Sequence, residues 1–81
     1  MPSYLAEAYV GDADGAVDDA RAQALRTAAL GADVVYVRTT YIPDDEMVVH
    51  VFEAPSIETL KQAGALAELV YERMVGCTTG E

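Results

Sequence analysis

The chain has 81 residues, of which 5 are basic and 14 are acidic, so its formal net charge is −9. Its length fits one domain, 1–81, and its 52% content of apolar residues favours a folded domain over a disordered chain. A field this negative repels polyanions, which argues against nucleic acid and against an anionic membrane surface as partners. The one cysteine excludes an intrachain disulfide, and the first residues lack the pattern of a secretory signal, so we expect a cytoplasmic protein.

The first third of the sequence predicts a strand, a turn and a helix. Aromatic and aliphatic residues over 3–10 favour a strand, and the glycines and aspartates of 11–15 predict a turn. The alanine-rich segment 16–30 predicts a helix, and Gly31 is placed to end it.

Two further strands are predicted on either side of an acidic proline turn. Aromatic and β-branched residues dominate 33–41 and 46–53, which favours extended structure in both segments. The residues of 42–45, Ile-Pro-Asp-Asp, suit a type I turn with proline in its second position. Together the two segments predict a hairpin.

The last third predicts a helix and a short strand. Ser56 is placed to cap a helix over 57–71, and the apolar stripe of this helix consists of Leu60, Ala63, Ala67 and Val70. Residues 73–78 predict the last strand. The order β-α-β-β-α-β predicts an α+β, ferredoxin-like fold, in which right-handed crossovers place both helices on one face of an antiparallel sheet.

Side-chain alternation along the strands predicts what each face of the sheet carries. The face under the helices is assigned the small and β-branched side chains, namely Ala6, Ala8, Val35, Val37, Thr39, Val49 and Val51. The other face then carries Leu5, Glu7, Tyr9, Tyr36, Arg38, Val48, His50 and Phe52, with Arg38 expected opposite His50. A bare face this apolar predicts that a second copy covers it, which gives a homodimeric α+β barrel with a lined cavity.

His50, the only histidine, is the leading candidate for chemistry inside this cavity. Imidazole titrates near neutral pH and is a common metal ligand, and Glu7 lies on the neighbouring central strand. Glu7 with Tyr9 or Tyr36 would supply the oxygen ligands of a metal site. Two plainer interpretations stay open: His50 as a hydrogen-bonded residue of the dimer interface, and Glu7 as the ion-pair partner of Arg38.

Met74 and Cys77 in the last strand are two further candidate metal ligands. Their sulfur atoms suit a soft metal, while both side chains are equally able to fill a core. They are three positions apart, so a regular strand would direct them to opposite faces and keep them out of one shared site.

Two segments carry a resemblance to a known family: Tyr36–Glu46, with the sequence YVRTTYIPDDE, and Val51–Ser56, with the sequence VFEAPS. The opening PSYL with Glu7 and the closing Tyr71–Val75 also fit. The chain thereby resembles a small bacterial family long described as a domain of unknown function. The best-described type of that family is an acidic, nickel-binding actinobacterial homodimer with a ferredoxin-like fold and its metal inside the barrel. The resemblance therefore implies a divalent metal here, nickel first, but it assigns no ligand residues.

These patterns leave three functions open. The first is a non-enzymatic homodimer that holds a divalent transition metal, with His50 as the anchor of the site. The second is a small-molecule binder or an enzyme, in which His50 and Glu7 exchange protons while Arg38, beside Tyr36, clamps an anion. In the third, the polar groups only fix the register of the dimer.

Overall fold

The computed structural model describes residues 1–11 and 15–78; the Asp12–Asp14 part of the predicted turn lies outside them. The elements follow the predicted order: strand β1 (Ser3–Tyr9), helix α1 (Ala16–Leu30), strands β2 (Val35–Ile42) and β3 (Met47–Glu53), helix α2 (Ile57–Ala67) and strand β4 (Arg73–Cys77). No helix in these described ranges is long and apolar enough to cross a membrane.

The four strands form one antiparallel sheet in the order β2-β3-β1-β4. The buried core lies between this sheet and the helices, and it includes Ala6 of β1, Phe52 of β3, Ala24 of α1 and Leu60 of α2. This arrangement confirms the predicted α+β, ferredoxin-like fold. We call the other side of the sheet the open face; on the central strands it carries Leu5, Glu7, Val49 and Val51.

The helix starts and the central turn lie where the sequence predicts them. Helix α1 begins after Gly15, whose positive φ of 81° is a conformation that glycine adopts without strain. Helix α2 begins after Ser56, whose hydroxyl accepts a hydrogen bond from the N–H of Thr59 at 3.1 Å. Pro43–Asp45 form a short 3₁₀ turn between β2 and β3.

Helix α2 ends four residues before the predicted end of the segment 57–71. Glu68 adopts the left-handed conformation with φ 58°, and the N–H of Leu69 donates a hydrogen bond of 2.8 Å to the carbonyl of Gly64. This cap turns Leu69 into the core and leaves Val70 exposed. The prediction that Val70 belongs to the buried stripe is therefore wrong, because the chain has already left the helix there.

The register between β1 and β3 determines which side chains lie under the helices. Ala6 is directly opposite His50, and Ala6, His50 and Phe52 are all fully buried. The prediction that places Val49 and Val51 under the helices, and His50 and Phe52 on the open face, is therefore wrong. Its premise was that small residues gather on the helix side. In the structure, the alanine on β1 instead leaves the space that the larger rings on β3 fill.

A β-bulge in β2 causes the second error of face assignment. The pairing with β3 shifts between Tyr36 and Arg38, so Val37 has no partner and Thr39 is the residue opposite His50. Arg38 lies on the open face as predicted, but it does not face His50, and Tyr36 turns to the helix side. The side chains wrongly assigned to the open face are Tyr36, Val48, His50 and Phe52.

Gly31, just after α1, lies against α2 at a distance that only glycine allows. A Cβ atom at this position would lie 2.6 Å from the Cβ of Ala63 and 2.7 Å from a Cγ of Val34. We predict that Gly31→Ala lowers the free energy of unfolding by about 1–3 kcal/mol, because these packed neighbours must move apart. Urea unfolding followed by circular dichroism measures the change.

Gly64 inside α2 provides the matched control for this prediction. A Cβ atom there would lie 3.4 Å from Leu69, which is an ordinary van der Waals contact. Alanine also has a helix propensity about 1 kcal/mol more favourable than that of glycine. Gly64→Ala should therefore leave the stability unchanged or raise it. Equal losses of stability in the two variants would contradict the steric account of Gly31.

Candidate functional site

His50 lies at the centre of β3, under the helices and shut off from solvent. Its relative exposure is 0%, and its neighbours across the sheet are Ala6 on β1 and Thr39 on β2. The ring centroid of Phe52, two residues along the same side of β3, is 6.2 Å from that of His50. The sequence predicts that this histidine lies in the lined cavity of a dimer, and the structure instead places it in the buried layer between sheet and helices.

A chain of two hydroxyl groups holds the imidazole ring from one side. The Nδ1 atom of His50 and the Oγ1 atom of Thr39 share a hydrogen bond of 2.7 Å. The same Thr39 oxygen shares a second hydrogen bond, also 2.7 Å long, with the phenol of Tyr36. The result is a short chain of three polar groups that begins at the buried ring and ends at the half-buried Tyr36.

The other ring nitrogen of His50 has no such partner. Among the described residues, Nε2 is the one buried side-chain nitrogen or oxygen for which no hydrogen-bond partner is found. Native proteins rarely leave such an atom unpaired, because losing its hydrogen bond to water costs about 1–3 kcal/mol. An unpaired nitrogen on a ring that is otherwise fixed is therefore the most unusual feature of the helix side.

Burial also fixes the charge of His50. Removal from water penalises the imidazolium form and lowers the pKa of His50 from 6.5 to about 4. At neutral pH the ring is therefore uncharged. A neutral imidazole, held through one nitrogen and unpaired at the other, is the form that can ligate a metal ion. It is poorly placed to exchange protons with a substrate, since no solvent reaches it.

The sheet separates the predicted ligands into two groups. His50, Met74 and Tyr36 lie on the helix side, and Met74 is opposite Ala6 just as His50 is, so that Ala6 separates the two in one row. The predicted metal ligands on the open face are Glu7, Tyr9 and Cys77, and Arg38, the predicted anion clamp, lies on the same face. Among the described residues no group of three His, Cys, Asp or Glu side chains could hold a metal ion.

Three sequence predictions about these residues have a clear outcome. Met74 and Cys77 do face opposite sides of the sheet, as their spacing predicts. Glu7 does lie on a strand next to that of His50, but it is opposite Val49 and points away from the imidazole. The pairing of Glu7 and His50 in one site, either as ligands or as an acid–base pair, is therefore wrong.

The open face has a hollow of about 400 Å³ at the end of the sheet where β1 begins. Its apolar lining includes Leu5, Val37 and Val51, and two charged side chains, Arg38 and Glu53, share it. Cys77 and Thr78 lie at the β4 side. The face assignment from sequence missed Val37, Val51 and Glu53, since only the pairing register reveals that these residues share a side with Arg38.

We predict that the metal-free protein loses stability as the pH falls from 6.5 towards 4. The unfolded imidazole has the ordinary pKa of 6.5 and the folded one a pKa of about 4, so in this range the unfolded state binds the additional proton. At about 1.4 kcal/mol for each pKa unit, the loss approaches about 3 kcal/mol at the acidic end. Urea unfolding at a series of pH values measures it.

His50→Asn is the control for the pH experiment. The asparagine amide can replace Nδ1 as the partner of Thr39, and it does not titrate. The variant should lack the part of the pH dependence that His50 contributes, and the difference between the two curves isolates it. Superimposable curves would show that His50 does not titrate as we describe.

The comparisons with known proteins support the fold. No protein-family model matches this chain, and no curated protein matches it. Its structure is similar to the crystal structure of SCO4226 from Streptomyces coelicolor A3(2), with a TM-score of 0.73 over 98% of this chain and 99% of that chain. The two sequences are 12% identical, so the similarity establishes the ferredoxin-like fold alone.

Proposed function

We propose that this chain is a non-enzymatic, cytoplasmic protein that binds a divalent transition metal, nickel first, and works as a homodimeric α+β barrel. The resemblance of Tyr36–Glu46 and Val51–Ser56 to a nickel-binding family suggested the metal. The observation that carries the proposal is the unpaired Nε2 atom of the neutral, fully buried His50.

The second nitrogen of His50 supports the same interpretation. Metal-binding histidines commonly use their other nitrogen in a hydrogen bond that fixes the orientation and the tautomer of the ring. Thr39 occupies that position here, and Tyr36 in turn orients Thr39. If Nδ1 donates to Thr39, the lone pair of Nε2 is left available to a metal ion.

The proposal changes the location of the metal that the sequence alone suggested. His50 fits as one donor, and the thioether of Met74 is a second predicted donor on the same side of the sheet. Glu7, Tyr9 and Cys77 lie on the open face, so they are excluded as metal ligands together with His50. The metal therefore belongs between the sheet and the helices, not in the interior of the barrel.

The test is calorimetric titration of nickel into tag-free wild type, His50→Asn and Glu7→Gln. We expect wild type and Glu7→Gln to bind equally, because Glu7 is on the open face. His50→Asn keeps the link to Thr39 but lacks Nε2, so its affinity should fall at least about tenfold, because losing even a residue that only orients a ligand costs about 10–100-fold.

Metal analysis of protein purified without an affinity tag completes this test. A stoichiometric transition metal in the wild type, and its loss in His50→Asn with an unchanged circular dichroism spectrum, would support the proposal. Equal nickel binding by wild type and His50→Asn would remove His50 from the site. Loss of binding in Glu7→Gln would return the site to the open face.

The dimer part of the proposal rests on the charges of the open face. The strand residues of this face include two cations, Arg38 and Arg73, and two anions, Glu7 and Glu53. The face is therefore neutral, while the whole chain carries a charge of −9. Two copies can therefore meet on this face without net electrostatic repulsion.

The apolar residues of the open face favour the same contact. Val35 and Val37 are 44% and 42% exposed in the single chain, and Ile42 is 37% exposed. Half-buried Leu5 and Val49 continue this surface across the central strands. An apolar face that spans the sheet is more than a monomer usually leaves in water.

We predict that Val37→Lys weakens the dimer and Leu66→Lys does not. Both residues are exposed in the single chain, but Val37 lies on the open face and Leu66 lies on α2. A lysine in the contact would lose its hydration, which should raise the dimer dissociation constant at least about tenfold. Analytical ultracentrifugation of both variants measures this. Dissociation by Leu66→Lys instead would place the contact on the helix side.

A second function, small-molecule binding, is favoured by one observation, the hollow beside Arg38. Its volume of about 400 Å³ is within the range of ligand pockets, about 300–1,000 Å³, and its lining combines apolar side chains with a few polar groups. The anion-binding role predicted for Arg38 is compatible with its position in this hollow. The role predicted for Tyr36 is not, because Tyr36 lies on the other side of the sheet.

A further inference from the structure

The hollow on the open face contains one positive and one negative group. Arg38 comes from β2 and Glu53 from the end of β3, and the two are not cross-strand partners: Arg38 is opposite Val51, and Glu53 is opposite Val35. Arg38 is exposed and Glu53 is half-buried. A simple anion would satisfy Arg38 but would meet the carboxylate of Glu53, so the hollow as a whole does not select an anion.

The floor of the hollow is apolar. Leu5 and Val51 are opposite each other on the two central strands, and Val37 joins them from the bulge in β2. These side chains offer a place to an aliphatic group about the size of their own side chains. Leu5 on β1 lies between the charged residues of β2 and β3 and the β4 side of the hollow, where Cys77 is found.

We infer that this hollow binds a small zwitterion with an apolar side chain, of the chemical class of the aliphatic α-amino acids. The ligand carboxylate lies on the guanidinium of Arg38, its ammonium group on the carboxylate of Glu53, and its side chain on Leu5 and Val51. The inference rests on the proposed dimer, because the second copy closes the hollow and removes the two ion pairs from water.

The probe is L-leucine, titrated into the full-length wild-type protein and followed by amide chemical shifts in NMR spectra. Two analogues separate the contributions: 4-methylpentanoate lacks the ammonium group, and 3-methylbutylamine lacks the carboxylate. We expect L-leucine to shift the amides of the residues lining the hollow. Each analogue should bind at least about tenfold more weakly, because one charge of the hollow then has no partner.

Four glutamine variants test which charged side chains bind the ligand. Arg38→Gln and Glu53→Gln should each weaken L-leucine binding at least about tenfold. Glu53→Gln should also bind 4-methylpentanoate as well as it binds L-leucine, because no carboxylate is left unpaired. Arg26→Gln on α1 and Glu58→Gln on α2 change the same residue types at exposed positions away from the open face, and they should leave the affinity unchanged.

Ultracentrifugation of the same samples distinguishes failure of this inference from failure of the dimer. A dimeric wild type that shows no shifts with L-leucine would overturn the inference and leave the dimer intact. A monomeric wild type without binding would overturn both. Equal affinities for L-leucine and the two analogues, or equal losses in Arg26→Gln and Arg38→Gln, would show that Arg38 and Glu53 do not select the ligand.

Discussion

The pairing of Ala6 with His50 across the two central strands is the constraint on which the rest of the molecule depends. A methyl group on β1 leaves the volume that the imidazole on β3 occupies, and the same register places Phe52 in the core two residues further on. Side-chain alternation then determines on which face of the sheet each remaining residue of these two strands lies. A slip of one residue would exchange the faces, bring Val49 and Val51 under the helices, and place a histidine and a phenylalanine in water.

This register divides the chemistry of the chain between two layers. The layer between sheet and helices is mostly apolar, and its polar groups include a neutral imidazole and the two hydroxyls that orient it. The open face carries charges of both signs around aliphatic side chains, and its polarity is that of an interface rather than of a core. We propose a different kind of ligand for each layer, a metal ion for one and a small organic molecule for the other, and the sheet separates the two proposed sites.

Most of the fold could be predicted from the sequence because the residues that begin its helices and separate its strands are easy to identify. Ser56 and Gly15 mark helix starts, and the proline turn separates two unmistakable strands, so the βαββαβ order follows. The candidate site could not be predicted to the same degree. Both sides of β3 are apolar, so alternation gives two equal solutions for His50, and only the partner on β1 decides between them. In β2, nothing in the run from Tyr36 to Thr39 signals a bulge, and without it Arg38 and Thr39 exchange places.

The bulge at Val37 has a consequence for how this surface can evolve. Tyr36 and Thr39 face the helices, and Arg38 faces outward; a strand without Val37 would alternate regularly and leave each of these side chains on the side it has now. Val37 is therefore equivalent to a one-residue insertion that leaves the arrangement of the core side chains unchanged. It adds one aliphatic side chain to the hollow beside Arg38. Relatives with and without this residue could share the same interior and differ only in what the outer surface accommodates.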